Sequence, residues 1–266
     1  MSIKIAHESP KSIFKQVQEV TDYDYALVHL FEEDSEYYDL FVEAKKQGRE
    51  IILDNSIFEL EEAFDADKFA YWIKTLKPDW YIIPDVLEDG YATCLKTSDW
   101  MGKYYSLPGK KIGVVQGRSL EEIKACYDYM DRIAQVDMIA ISFDYSYYRE
   151  SVPHPNKYVS WMLGRAKLLG DLLKDGHINR NKKHHLLGTS LPIEGMFYRE
   201  YNWIYSMDTS NPCVHAMKNI PYSGTGLWTK ESQKLVELID ISKEEIDINL
   251  VLNNIRKFRH FWNGNI

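Results

Sequence analysis

Short apolar runs alternate with longer amphipathic stretches along almost the whole chain. We interpret the runs as β-strands and the stretches as helices, because this alternation is typical of βα units. The predicted strands are Ile3–Ala6, Tyr25–Leu30, Glu50–Asp54, Trp80–Pro84, Lys111–Gln116, Met138–Ser142, His184–Leu187 and Trp203–Met207. The predicted helices lie near residues 11–20, 36–47, 65–77, 90–105, 119–133, 157–174 and 193–200.

Several helix boundaries have local signals. Ser119 precedes Leu120-Glu121-Glu122, a capping-box pattern that opens a helix. Gly48 follows a helical stretch, as a C-terminal glycine does. Ser242 and Glu245 form a second capping box, within a region, residues 231–263, that we interpret as one or two terminal helices.

Eight strands with crossover helices fit an α/β fold of the (β/α)8 TIM-barrel type. The alternative is an open doubly wound sheet, which has similar spacing. We expect a single barrel domain over residues 1–266, with 231–266 as a C-terminal helical extension, since this length is common for one barrel.

Composition narrows the function classes. The net charge of −8 makes non-specific coating of nucleic acid a poor expectation, because such binding depends on cations that release counterions from phosphates. The three cysteines form no CxxC pair, which argues for free thiols in a reducing compartment and against a cysteine zinc site. No apolar run reaches the length of a signal peptide core or a membrane span. We therefore expect a cytoplasmic protein, in the host cytoplasm if it is viral, with no membrane partner.

The C-terminal strand ends are the most informative positions, because barrel enzymes place their catalytic residues there. Asp54, Asp85 and Asp208 close or follow three predicted strands, and Gln116 closes a fourth. Any one of these Asp residues could simply be a helix N-cap. Together they predict a pocket in which two carboxyl groups divide the work of acid and nucleophile.

Metal and cofactor motifs do not occur in the sequence. There is no HxH, HExxH, GxGxxG or P-loop pattern. His184 and His185 would point to opposite faces of a strand and could not hold one ion together. We expect neither a metal nor a cofactor.

At these strand ends the chain resembles the tRNA-guanine transglycosylase superfamily. The nearest likeness is to the shorter branch of viral and bacterial enzymes that insert 7-deazaguanines into DNA. It covers roughly residues 50–218 and consists of motif order rather than close identity. The matching segments are Ile51–Glu59, Ile83–Asp85, Val114–Gly117, Ile139–Ser142, Leu186–Thr189 and Tyr205–Ser210.

The resemblance implies a role for each strand end. Asp208 falls at the position of the nucleophile and Asp54 at that of the general acid/base. Asp85 and Gln116 fall where the family contacts the base. The expected pocket-lining residues beside them are Gly117, Ser142 and Gly188. The family's zinc site and extra basic domains are missing, and Ser142 replaces a family glycine.

Aromatic and basic side chains are the expected polymer contacts. The candidates for stacking on the base, each of which could equally be ordinary packing, are Phe58, Tyr145, Tyr147 and Tyr148. The candidates for a basic rim are Arg118, Arg149, Arg165, Arg180, Lys182 and Lys183. The run from Arg180 to His185 could also be a solvated loop that enters a strand.

The main hypothesis is therefore exchange of guanine in nucleic acid, DNA ahead of tRNA, for a free 7-deazaguanine-type base. One alternative is a hydrolytic N-glycosylase on the same scaffold. Another is a protein that binds a base or nucleotide without turnover. A second copy of the chain or a helper subunit is an expected source of further nucleic-acid contacts, given the acidic net charge.

Overall fold

The computed structural model describes residues 2–62 and 64–264. The domain predicted for residues 1–266 therefore includes four positions, 1, 63, 265 and 266, that lie outside the described residues. Within the described ranges, eight parallel strands form one sheet in the order β1-β8-β7-β6-β5-β4-β3-β2. The strands are β1 Lys4–His7, β2 Asp24–Leu27, β3 Ile51–Asp54, β4 Trp80–Ile82, β5 Lys110–Val115, β6 Met138–Ser142, β7 Lys183–Leu187 and β8 Ile204–Thr209.

The sheet curls into a nearly closed barrel. Across the β1–β2 gap, the Asp22 N–H donates to the Ile5 carbonyl at 3.0 Å, and the Ile5 N–H donates to Asp22 Oδ2 at 2.8 Å. Consecutive strands are neighbours all the way round, whereas the order of a doubly wound sheet reverses part-way. The TIM-type barrel is confirmed and the open sheet is excluded.

Helices cover the outside of the barrel and follow the strands in alternation. They are α1 Phe14–Gln18, α2 Val28–Glu33, α3 Ser35–Lys46, α4 Ile57–Leu60, α5 Ala66–Leu76, α6 Gly90–Tyr104, α7 Leu120–Asp128, α8 Ser146–Ser151, α9 Lys157–Lys174, α10 Asn211–Met217 and α11 Ile248–Asn263. Every residue of β2, β3 and β4 is buried, as expected for parallel strands covered on both faces. No helix in the described ranges is both long and apolar enough to cross a membrane.

The predicted helix boundaries are largely confirmed. The Ser119 hydroxyl accepts the Glu122 N–H at 3.2 Å and caps α7. Gly48 follows α3 with φ +75°, a conformation that glycine adopts without strain. Ser242 and Glu245 form the expected capping box, although it opens only a short 3-10 turn, Lys243–Glu245.

Two predicted elements differ most from the structure. The second strand was expected to reach Leu30, but it ends at Leu27 and α2 begins at Val28. This run is apolar and buried throughout, and periodicity cannot separate strand from helix in such a run. The helix expected at 193–200 is a 3-10 segment, Pro192–Phe197. The terminal extension, expected as one or two helices, contains one, α11, preceded by 3-10 turns.

Candidate active site

A cavity of about 180 Å³ opens at the C-terminal ends of the strands, and we call it the mouth cavity. Its size is below the roughly 300–1,000 Å³ of pockets for drug-sized ligands, so it suits one small group such as a single base. The predicted site residues that line it are Asp54, Phe58, Asp85, Gln116, Ser142, Gly188 and Asp208. Strands on all sides of the barrel thus bring seven of the eight predicted residues to one place.

The eighth predicted residue, Gly117, lies beside the mouth cavity and outside its lining. Its φ is +153°, and a Cβ at this position would come 3.0 Å from the backbone nitrogen of Ile123 in α7. Gly117 therefore permits the close packing of the β5 turn on α7.

Asp208 is oriented by one residue of β7 and by one in the turn that follows it. His185 Nε2 lies 3.0 Å from Asp208 Oδ1, and the Gly188 N–H is 3.2 and 3.3 Å from the two carboxylate oxygens. An ionised carboxylate only accepts hydrogen bonds, so Nε2–H of His185 is the donor and Nδ1 faces Ser206 Oγ at 2.9 Å. Asp208 is 6% exposed, towards the mouth cavity.

Gly188 is required by its surroundings. Its φ is +59°, and a Cβ would come 2.6 Å from the ring of Phe143. Only glycine combines this left-handed backbone with that close contact. The same turn aims the Gly188 N–H at Asp208.

Asp54 closes β3 and faces the same cavity. The Tyr25 hydroxyl and the Ser56 N–H both donate to its carboxyl group. Burial raises the pKa of Asp54 well above its ordinary value, and the Glu59 and Asp208 carboxylates add to the increase while the two hydrogen bonds oppose it. The site therefore favours the protonated form of Asp54, which is the form of a general acid.

Asp85 is held by two amides. Asn55 Nδ2 donates to Asp85 Oδ1 at 2.8 Å, and Gln116 Nε2 donates to Oδ2 at 2.7 Å. Gln116 Oε1 in turn accepts the Glu88 N–H at 2.9 Å. Burial raises the pKa of Asp85, against the effect of both amides. Each carboxylate oxygen keeps a further lone pair for a ligand donor.

Two more acids line the mouth cavity, Glu8 after β1 and Glu59 in α4. Burial raises the pKa of Glu59 to about 7, and it raises the pKa of Glu8 well above its ordinary value, with the Asp208 carboxylate adding to both increases. Glu8 lies two residues after the first predicted strand, and no role was predicted for it from the sequence. Nothing in the sequence marked Glu59 apart from its place five residues after Asp54.

A distant segment closes one side of the cavity. Lys230 Nζ donates to the Thr189 carbonyl at 2.7 Å, and Lys234 Nζ donates to the carbonyls of Phe58 and Glu59, both at 3.1 Å. Burial lowers the pKa of Lys230 to about 8, although nearby carboxylates oppose this. Residues 230–235, of which 231–235 were expected in the terminal extension, thus line the candidate site.

Of the four aromatic residues predicted to stack on a base, one lines the mouth cavity and three do not. Phe58 is 43% exposed at the mouth cavity, and its ring centroid lies 6.0 Å from that of Phe143, which sequence reasoning missed. The Tyr145 hydroxyl donates to the Val115 carbonyl, and the Tyr148 hydroxyl donates to that of Ser142 at 3.0 Å. Those two, together with Tyr147, pack in or against the core outside the cavity lining.

The predicted basic rim is wrong for most of its members. Arg165 is fully buried, with Nε 2.7 Å from Glu194 Oε1. Arg180, Lys182 and Lys183 precede or begin β7, so they lie at the N-terminal end of the strands, away from the mouth cavity. Arg118 and Arg149 follow β5 and β6 and are exposed at the C-terminal end. Burial and strand direction, which decide these positions, are not visible in a list of basic residues.

Comparison with protein-family models gives no match to this chain, and comparison with curated proteins gives none either. In residues 2–62 and 64–264, no group of three His, Cys, Asp or Glu side chains is arranged to hold a metal ion.

Proposed function

We propose that the chain is a pentosyltransferase that exchanges guanine in nucleic acid, DNA ahead of tRNA, for a 7-deazaguanine. The observation that carries the proposal is the pairing of two unlike carboxyl groups in one small cavity. Asp54 is placed where its proton is retained, and Asp208 is oriented by the N–H groups of His185 and Gly188. The choice of base and polymer rests on the family resemblance of the strand ends.

The first half of the reaction breaks the glycosidic bond. A carboxylate oxygen of Asp208 attacks C1′ of the sugar, and the bond between C1′ and N9 of guanine breaks with its electrons going to the base. Asp54 donates its proton to the departing guanine. A carboxylate nucleophile of this kind divides one hard displacement into two easier ones.

The second half reverses these roles. The incoming base loses its N9 proton to the Asp54 carboxylate while N9 attacks C1′, and the bond from C1′ to Asp208 breaks. Asp54 is then protonated again and the Asp208 carboxylate is free. The protons and electron pairs of the cycle therefore balance without a cofactor.

Asp85 and Gln116 are the proposed base readers. A guanine-type edge presents N–H donors, and the Asp85 oxygens have lone pairs that the two amides leave open. A site built to make such bonds discriminates strongly against bases that lack the donors. In a duplex the target nucleotide leaves its stack to reach the barrel mouth, where Phe58 and Phe143 offer ring surfaces.

The test is incorporation of labelled 7-deazaguanine into single-stranded DNA, duplex DNA and tRNA. We expect label in the polymer with the native chain and none with Asp208→Asn, while Asp39→Asn, an exposed carboxylate on α3, behaves as native. Release of several equivalents of free guanine per enzyme without an added base would indicate a hydrolase instead. Tight base binding that survives Asp208→Asn and Asp54→Asn, without turnover, would indicate a binding protein.

A further inference from the structure

The opposite end of the barrel, where the strands begin, carries a cluster of cations around two aromatic rings. Its members, which we call the floor cluster, are Lys4, Lys110, Lys183, Trp80 and Tyr205. Lys110 Nζ and Lys183 Nζ lie 5.0 and 5.1 Å from the centroid of the Trp80 ring. Lys183 Nζ is also 3.6 Å from that of Tyr205, and Lys4 Nζ is 5.0 Å from the same ring. Three ammonium groups therefore converge on one small area of an acidic protein.

The cluster contains more positive charge than nearby carboxylates neutralise. Glu50 pairs with Lys4 and also accepts from Trp80 Nε1 at 2.7 Å and from the Tyr205 hydroxyl at 2.9 Å. Among the described residues, no carboxylate oxygen lies within 4.0 Å of the ammonium groups of Lys110 or Lys183. The pKa of Lys183 is lowered, first by burial and then by the charges of Lys110 and Lys4. An anion between these lysines would relieve that repulsion.

A cavity of about 390 Å³ opens beside the unpaired lysines. Lys110 and Lys183 line it together with Gln135, Asn179 and Asn181. The Asn179 amide already donates to Asp131 Oδ1 at 3.0 Å, so the amides considered as donors are those of Gln135 and Asn181. Amide N–H and ammonium groups donate hydrogen bonds of the kind that phosphate oxygens accept.

Two acids near this cavity already have partners. Asp137, which lines it, accepts the Lys111 N–H at 2.8 Å. Asp131 lies 3.3 Å from Lys182 Nζ. Asp137 keeps its negative charge, because a backbone N–H does not neutralise it, but among the described lining residues it is the one carboxylate beside three lysines, Lys110, Lys182 and Lys183.

We propose that this floor cavity is an anion site that takes a phosphate group, with Lys110 and Lys183 as its principal cations. The site is separate from the mouth cavity, because Gly188 lies five residue steps after Lys183 along β7, roughly 16 Å at about 3.3 Å per step. It goes beyond the proposed base exchange and does not depend on it. The phosphate belongs either to a nucleic-acid backbone or to a small phosphorylated molecule.

The experiment compares Lys110→Gln/Lys183→Gln with Lys46→Gln/Lys74→Gln, which removes the same charge from exposed positions on α3 and α5. Fluorescence anisotropy measures the affinity for a labelled single-stranded oligodeoxynucleotide over a range of salt, and calorimetry measures binding of pyrophosphate. Thermal unfolding checks that both variants remain folded.

If the phosphate is that of a backbone, the floor variant binds the oligonucleotide at least roughly tenfold more weakly than the control. The slope of log affinity against log salt then becomes shallower by about 1.4, because each of the two lost contacts to a single strand contributes about 0.7. If the phosphate is that of a small molecule, pyrophosphate binding is lost in the floor variant alone while oligonucleotide affinity is unchanged. Equal binding of both probes by the two variants would overturn the proposal.

Discussion

His185 Nε2 lies 3.0 Å from Asp208 Oδ1, and the same ring is stacked on Tyr25, with centroids 6.1 Å apart and an interplanar angle of 14°. Tyr25 in turn donates to Asp54. The proposed nucleophile and the proposed acid are therefore joined by two adjacent rings. His185 is fully buried, so the role we propose for it is to position Asp208.

Replacing His185 tests that positioning. We expect His185→Phe to lower the rate of base exchange roughly 10- to 150-fold, because a hydrogen bond to a charged group contributes about 1.5–3 kcal/mol. KM for the incoming base stays near native, because Asp85 and Gln116 are unchanged. His185→Gln, which keeps an N–H donor, recovers part of the rate. His260→Phe, at an exposed position, serves as control. A change in KM as large as the change in rate, or an equal loss of rate in His185→Phe and His185→Gln, would contradict the positioning role.

Stability should depend on pH through Glu59. The pKa of this carboxyl is about 7 in the folded chain and near 4.5 when unfolded, so the folded state holds the proton more tightly. The associated stability is present below pH 4.5 and is lost as the pH rises through 7. We expect Glu59→Gln to be more stable than native at pH 8, by on the order of 1 kcal/mol.

Urea unfolding at pH 5 and pH 8 measures this difference. The gain should shrink at the lower pH, and Glu150→Gln, an exposed acid on α8, should show no such change. A Glu59→Gln gain that is equal at both pH values would contradict the assignment.

The segment of residues 230–235 should loosen when Lys234 is changed. Lys234→Gln removes the two bonds to the carbonyls of Phe58 and Glu59. We expect hydrogen exchange in peptides that cover residues 229–237 to become roughly tenfold faster, which corresponds to about 1.4 kcal/mol of lost protection. Exchange elsewhere in the barrel stays native, and the exposed Lys218→Gln leaves the segment unchanged. Unaltered exchange in these peptides would show that other contacts hold the segment.

Replacing one partner of the Arg165–Glu194 pair, which lies beneath the turn after β7, should strongly lower the free energy of unfolding. Arg165 also donates to the carbonyls of Leu187 and Gly188, both at 3.0 Å. Arg165→Met leaves Glu194 charged and buried, at an expected cost of about 3–5 kcal/mol in the free energy of unfolding.

The comparison pair is Arg259 with Asp22, which is more exposed. Arg259→Met should cost under about 1 kcal/mol. Adding Glu194→Gln to Arg165→Met should restore part of the loss in chemical denaturation. Equal losses for Arg165→Met and Arg259→Met would argue against the buried pair.

Much of the barrel and of the strand-end site could be predicted from the sequence. In an apolar run that ends in Asp54, Gln116 or Asp208, the polar residue marks the C-terminal end of the strand. Parallel strands bring these ends to one edge of the barrel. These positions depend on local pattern and on the topology that follows from it.

Other parts of the site depend on contacts that no local pattern encodes. Lys234 meets Glu59 across 175 positions of sequence. Arg165 is predicted as a rim cation, but the structure buries it against Glu194. The Arg180–His185 run could be a polymer contact or a loop that enters a strand, and the structure agrees with the second, because its basic residues precede or begin β7 at the other end of the strands. Long-range packing therefore decides which charges reach the mouth cavity.

The most direct test of the account is a search for a sugar bonded to Asp208. The native chain is incubated with a guanine-containing oligonucleotide, without incoming base, then denatured and digested for mass spectrometry. We predict an ester-linked nucleotide adduct on the peptide that contains Asp208, absent from Asp208→Asn and discharged by adding 7-deazaguanine. Full incorporation of labelled base by Asp208→Asn, or an adduct on a different residue, would contradict the proposed mechanism.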